Sequence, residues 1–243
     1  MSVFVLVHGA WHGGWCWQNI VKPLESAGHS VLTPDLPGCG LGSARSKGVT
    51  LDDYSDFLAC VVEAQDEPTI LVGHSLGGAV ISQAAEYCGA GIELLVYLAA
   101  YVPRDGESAS DLALSDAGSL LNKYLEVDWN EEVIRLDRAG SLECFYGQCS
   151  KVDQAESLER LLAQPLGPVT QPICLTSDLR NETPAIYIEC LQDKAVSPNL
   201  QQQMQQRRKF RAIHSLDTDH SPFLSQPNQL ADLLISAADR SNR

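Results

Sequence analysis

The sequence predicts an α/β protein built on an open, mostly parallel sheet of about six strands flanked by helices. Three observations predict it. Short β-rich apolar runs alternate with longer stretches of helical periodicity, which is the pattern of parallel strands joined by crossover helices. The runs are apolar along their length, as strands covered on both faces are. One of them, TILVG, passes straight into a glycine-rich turn and then into a helix.

Taken in order, the first strand is expected at Val3–Val7, followed by a helix over 15–25, a second strand at Ser30–Thr33 and a helix over 51–65. The third strand, Thr69–Val72, leads into a helix over 76–88, and the fourth is Leu94–Leu98. From about 104 to 181 the rhythm stops: SASDLALSDAGSLLNKYLEV and VDQAESLERLLAQPLG are helical in character, and no strong strand run appears. A helical insertion placed after a sheet strand folds over the strand ends, where open α/β sheets bind ligands, so 104–181 is expected to be a small cap. The alternation resumes with a strand at Ala185–Glu189, a helix over 198–207, a strand at Ala212–Ser215 and a helix over 227–238. The core is thus 1–103 with 182–243. Gln201, Gln202, Gln203, Gln205 and Gln206 read as an exposed helix face.

At 243 residues the chain suits one domain of generous size with a sizeable core. A net charge of −14 and a pI near 4.7 argue against a nucleic-acid partner, which needs clustered Lys and Arg. The one basic cluster, Arg207, Arg208, Lys209 and Arg211, reads as a solvated helix end. No apolar run approaches the roughly 20 residues that span a bilayer, so no membrane segment is expected. The eight cysteines are scattered without a CxxC pair, and MSVFVLVHG has no basic n-region. Free thiols in a reducing cytoplasm are the expectation. Nothing in the sequence decides between a monomer and a homodimer.

The turn Gly73-His74-Ser75-Leu76-Gly77 matches G-x-S-x-G between strand and helix, the context that motif requires. Its glycines permit a turn so tight that the strained backbone lifts a hydroxyl clear, and this makes Ser75 the candidate nucleophile. A serine needs a base, and the base a carboxylate to hold its tautomer. Both are expected after the serine, on loops following later strands. His8, His12 and His29 precede it, His74 lies inside the turn and His214 falls in a predicted strand, which leaves His220. Asp217 and Asp219 are near in sequence but point elsewhere along the chain. Asp193 follows its own strand on the loop LQDKAVSP and is the candidate acid, with Glu189 and Asp178 as lesser ones. The oxyanion donors are then the N–H of Leu76 and, from the loop after the first strand, that of Ala10, where Gly9 lets the backbone turn inward. His8 and His12 lack an identifiable third ligand, so hydrogen-bonding roles are expected for them, with no metal and no organic cofactor.

With VLVHGAWHGGWCW, DLPGCG, VGHSLGG, ECLQDKAV and TDHSPFLSQP in order, the sequence resembles the α/β-hydrolase superfamily over essentially its whole length. More narrowly, it resembles the branch of plant methyl-salicylate-type esterases, hydroxynitrile lyases and bacterial carboxylesterases that include pyrethroid-type ester hydrolases. The resemblance implies a compact core with a small helical cap, a triad of Ser75, His220 and Asp193, and oxyanion donors Ala10 and Leu76. The plant-type lyases of that branch carry threonine and lysine where this chain has Gly9 and Ser221, so the cation that meets cyanide is missing. Gly9 also leaves the oxyanion pocket open for an ester carbonyl. The function implied is a serine carboxylesterase, with a lyase or a slow-turnover ligand receptor as the alternatives and a thioesterase or perhydrolase compatible with the same triad.

The substrate is expected to be a small to medium apolar carboxylic ester. Trp11, Trp15, Trp17, Leu120, Leu121, Tyr124, Trp129, Phe145 and Tyr146 suggest an apolar pocket, several of them as core, and Trp11 and Trp129 are expected to face the ligand.

Overall fold

The computed structural model describes residues 1–40, 46–88, 91–176 and 179–241. Strands β1 (Val3–Val7), β2 (Ser30–Leu32), β3 (Thr69–His74) and β4 (Ile92–Leu98) alternate with α1 (Gln18–Ser26), α2 (Leu51–Glu63) and α3 (Gly77–Cys88). Helix α2 starts at a reciprocal cap: Thr50 accepts the Asp53 N–H, and Asp53 accepts that of Thr50. The insertion then supplies α4 (Ala109–Ser115), β5 (Leu125–Asp128), β6 (Val133–Leu136), α5 (Arg138–Phe145), α6 (Lys151–Arg160), β7 (Gln164–Pro165) and α7 (Gly167–Thr170). The chain continues through α8 (Leu179–Glu182), β8 (Ala185–Cys190), α9 (Pro198–Gln205), β9 (Ala212–Leu216), α10 (Pro222–Ser225) and α11 (Pro227–Ser241).

The main sheet has six strands in the order β2-β1-β3-β4-β8-β9, and every pairing is parallel. Strands β1, β3 and β8 are buried at every residue, while the edge strands β2 and β9 are only partly covered. That contrast is why the inner strands read as unbroken apolar runs. The order in which strands are added changes direction between β1 and β3, and the crevice outside the carboxyl ends at such a switch point is where open α/β sheets hold ligands.

The insertion corrects the expectation of a mostly helical segment with no strong strand. It carries a three-stranded antiparallel sheet, β5-β6-β7, among its short helices. The turn between β5 and β6 is built by Asp128, whose carboxylate accepts the N–H groups of Asn130 and Glu131 at 3.1 Å each, and by Glu132 at φ 55°. The helix ends are also corrected. Arg208 of the basic cluster is buried, donates to Thr183 O and lies over the rings of Tyr97 and Phe210, and Arg207 pairs with Glu107. In the glutamine run, Gln201 and Gln205 are buried rather than exposed.

Candidate active site

Ser75 follows the last residue of β3 and precedes α3, in the left-handed region at φ 53°. A non-glycine residue held there is strained, and the neighbours show what enforces it. A Cβ on Gly73 would lie 2.5 Å from Gly77 O, and one on Gly77 would lie 2.9 Å from Val7 O. Only glycine lets strand and helix close this far. The Ser75 N–H donates to Leu98 O at 3.2 Å, and Ser75 O accepts from the Tyr101 N–H at 3.1 Å, so the end of β4 and the segment after it pin the turn.

Asp193 follows β8 and His220 follows β9, neighbouring strands in register from Ile186–Ala212 to Cys190–Leu216. Their loops bring His220 Nδ1 to 2.7 Å from Asp193 Oδ2. Asp193 is also bonded by the N–H groups of Ala195 (2.7 Å) and Val196 (2.9 Å) at Oδ1. Burial pushes the Asp193 carboxyl up, opposed by the charge and hydrogen bond of His220 and by the two backbone donors. The carboxylate engages the ring at Nδ1 and not at Nε2. Neither His220 Nε2 nor Ser75 Oγ has a hydrogen-bond partner among the described residues. The elbow and the histidine loop are tied together, because the His74 ring bonds His220 O through Nε2 at 2.8 Å and lies 4.5 Å from the His220 ring.

The N–H groups of Ala10 and Leu76 take no acceptor among the described residues. Leu76 lies at the N-terminal end of α3, where the helix dipole favours negative charge. Gly9 packs against the elbow so tightly that a Cβ would lie 2.9 Å from both Ser75 Cβ and His74 Nδ1. His8 and His12 have both ring nitrogens engaged. His8 bonds Gly9 O and accepts the Leu36 N–H, while His12 bonds Ala10 O at 2.8 Å and Tyr146 OH at 2.7 Å. Burial lowers the pKa of His8, lowers that of His12 to about 3 and lowers that of His74 well below the usual range. His220, by contrast, has its ring bonded to a carboxylate, that of Asp193.

A model of the alpha/beta hydrolase family matches residues 4–233. The chain belongs to the alpha/beta hydrolase family. It is 31% identical to methylesterase 1 of Arabidopsis thaliana, over 98% of this chain and 96% of that one. Over 110 residues, 44% of this chain and 46% of that one, it is 47% identical to a carbendazim hydrolyzing esterase of a Nocardioides species. A solved pyrethroid hydrolase from Sphingobium faniae JZ-2 superposes with a TM-score of 0.87 at 26% identity, covering 98% of this chain and 97% of that one.

In this hydrolase the remaining expected residues separate. Trp11 is buried at φ 63°, its ring packs on Phe145 at 5.7 Å, and Phe145 packs on His220 at 5.5 Å. Its outer side lines a cavity of about 200 Å³ with Arg135, Leu136, Ser141 and Leu161–Ala163. Trp129, expected in the pocket, is instead 74% exposed on the β5–β6 turn, because the segment is a hairpin and not a helix. Ser221 is fully buried, and its hydroxyl has no partner among the described residues. Of the lesser acids, Glu189 bonds Gln205 and Ser215 along the sheet, and Asp178 lies outside the described residues. Asp217 bonds Gln192 at the surface, and Asp219 binds the Gln148 N–H at 2.7 Å, which staples the histidine loop to the insertion.

The sequence reading missed Gln201. Its Nε2 donates to Asp193 Oδ2 at 3.1 Å and to Val196 O at 2.7 Å, and its Oε1 accepts the Cys190 N–H at 3.1 Å. The available signal was its place beside Leu200 and four residues before Gln205, on the buried side of α9.

Proposed function

We propose that this chain is a serine carboxylesterase that hydrolyses small to medium apolar carboxylic esters through an acyl-enzyme. The observation that carries it is the 2.7 Å bond between His220 Nδ1 and Asp193 Oδ2, at strand ends beside a serine held at φ 53° and two N–H groups without acceptors. Relatives named methylesterase and pyrethroid hydrolase support the same chemistry.

In this reading His220 Nε2 takes the Ser75 proton as Oγ bonds to the ester carbonyl carbon, and the carbonyl electron pair becomes an oxyanion held by the Ala10 and Leu76 N–H groups. Collapse breaks the bond to the alcohol oxygen, which leaves with the proton from His220. Water then gives a proton to His220 and attacks the acyl carbon, and Ser75 leaves with that proton as the acid is released. The tight contact of Gly9 with Ser75 supports hydrolysis over the lyase alternative, since the side chain such a lyase carries there has no room without moving the elbow.

A panel of p-nitrophenyl esters of increasing acyl length tests the proposal, run beside a cyanohydrin. Multiple turnover on the short esters, with no cyanide released, is expected. Ester binding without turnover favours the receptor reading, and cyanide release at comparable kcat overturns the hydrolase reading. Asp193→Asn is expected to lower kcat about 10³- to 10⁴-fold, since an amide does not hold the same tautomer.

A further inference from the structure

The catalytic acid is not held by its own strand end alone. Because Asp193 Oδ1 accepts the Ala195 and Val196 N–H groups, the direction of its carboxylate follows the course of residues 194–197. The insertion fixes that course. Asp116, which is buried, accepts the Ser197 N–H at 2.7 Å with Oδ2 and the Ser197 hydroxyl at 2.5 Å with Oδ1. Ser119 Oγ donates to Ala195 O at 2.8 Å, and the Leu120 N–H donates to Lys194 O at 2.8 Å. Asp116 Oδ1 also accepts the Gly118 N–H at 3.1 Å, and Gly118 packs so closely that a Cβ there would lie 2.7 Å from Ser197 Cβ. Ser197 caps α9, its Oγ accepting the Leu200 N–H at 3.2 Å, and α9 carries Gln201, which donates to the other oxygen of Asp193. Asp116 therefore reaches both oxygens of Asp193, one through the 194–197 backbone and one through the start of α9.

We propose that Asp116 is a positioning residue for the catalytic acid, and that the 116–120 segment of the insertion is the template against which the Asp193 loop takes its working shape. A buried carboxylate is costly unless its oxygens are hydrogen-bonded. Here three donors meet it, and two of them belong to the one residue that ends the acid loop and begins α9. The inference rests on the serine hydrolase reading and adds to it a reason for the insertion to be intact before the triad is competent.

The test compares Asp116→Ala, Asp116→Asn, Ser197→Ala and the Asp116→Ala/Ser197→Ala pair, each titrated with an organophosphonate so that rates are expressed per active site. For p-nitrophenyl acetate, Asp116→Ala is expected to lower kcat about 10- to 100-fold with KM within about twofold. Asp116→Asn keeps one acceptor oxygen and should lie between it and the wild type. The pair should cost less than the product of the two single losses, because both singles remove the Ser197 hydroxyl bond to Asp116, while only Ser197→Ala also removes the cap on the Leu200 N–H. The low-field proton resonance of the His220 Nδ1–H should shift in Asp116→Ala. A folded Asp116→Ala with wild-type kcat per titrated site and an unmoved resonance overturns the proposal. So does a loss confined to the fraction of chains that titrate, which marks a merely structural role. If the wild-type chain takes no label and turns over no ester, the hydrolase reading fails, and the His220 resonance alone still decides whether Asp116 orients the pair.

Discussion

Ser75 carries a conformational cost, at φ 53°, that the proposed nucleophile role explains. A left-handed L-residue is disfavoured by roughly 1–2 kcal/mol, and glycine at this position would relieve most of it. We expect Ser75→Gly to be more stable than Ser75→Ala by up to about 1 kcal/mol in urea unfolding, with both inactive. His220→Ala should lower kcat by about three orders of magnitude or more in a folded protein, as measured by steady-state ester hydrolysis with circular dichroism on the same sample. The buried histidines make a prediction about pH. Each of His8, His12 and His74 binds a proton more readily when unfolded, since burial lowers its folded value from 6.5, for His12 to about 3. The unfolded chain thus takes up the extra protons, and stability is full above about pH 6.5 and declines as the pH falls toward the folded values. The melting temperature should drop between pH 7 and 5, and His12→Gln should flatten that slope.

Among the elements, the glycine-rich loops decide how closely the proposed catalytic pieces approach. A Cβ on Gly9 would meet Ser75 Cβ at 2.9 Å, so Gly9→Ala must move the elbow. Overpacking of this kind costs about 1–3 kcal/mol, and kcat should fall along with the melting temperature. The insertion holds the catalytic loops at several points. It bonds the oxyanion loop at Trp11 through Gln164, Ile134 and Leu162, the acid loop through Asp116, and the histidine loop through Asp219 and Gln148. Asp219→Ala would leave the Gln148 N–H without its acceptor, an expected loss of about 1–3 kcal/mol measurable by thermal unfolding. These elements differ in how legible they are in sequence. The inner strands and the G-x-S-x-G turn were plain, because complete burial and a strained turn each leave a compositional mark. The β5–β6 hairpin was not, since LEVD and VIRL are four residues each and mix charge with apolar side chains. Gln201 was hidden by the glutamines around it: its partner Asp193 lies on another loop, and a polar side chain in a polar run gives no sign of burial.

For the whole molecule, the sheet order places the residues after β1, β3, β8 and β9 along one edge. That is why Ser75, Asp193 and His220, scattered over the chain, come to the same edge of the sheet. No helix among the described residues is long and apolar enough to cross a membrane. A cavity of about 200 Å³ lies between Trp11 and the insertion, lined by Arg135, Leu136, Ser141 and Leu161–Ala163. The most direct test of the central claim is labelling with a fluorophosphonate followed by peptide mass spectrometry, with residual ester hydrolysis measured at each degree of labelling. We predict one label per chain, on Ser75, with activity falling in proportion to the labelled fraction. A label carried by another residue, or turnover undiminished when Ser75 is fully modified, would contradict the account.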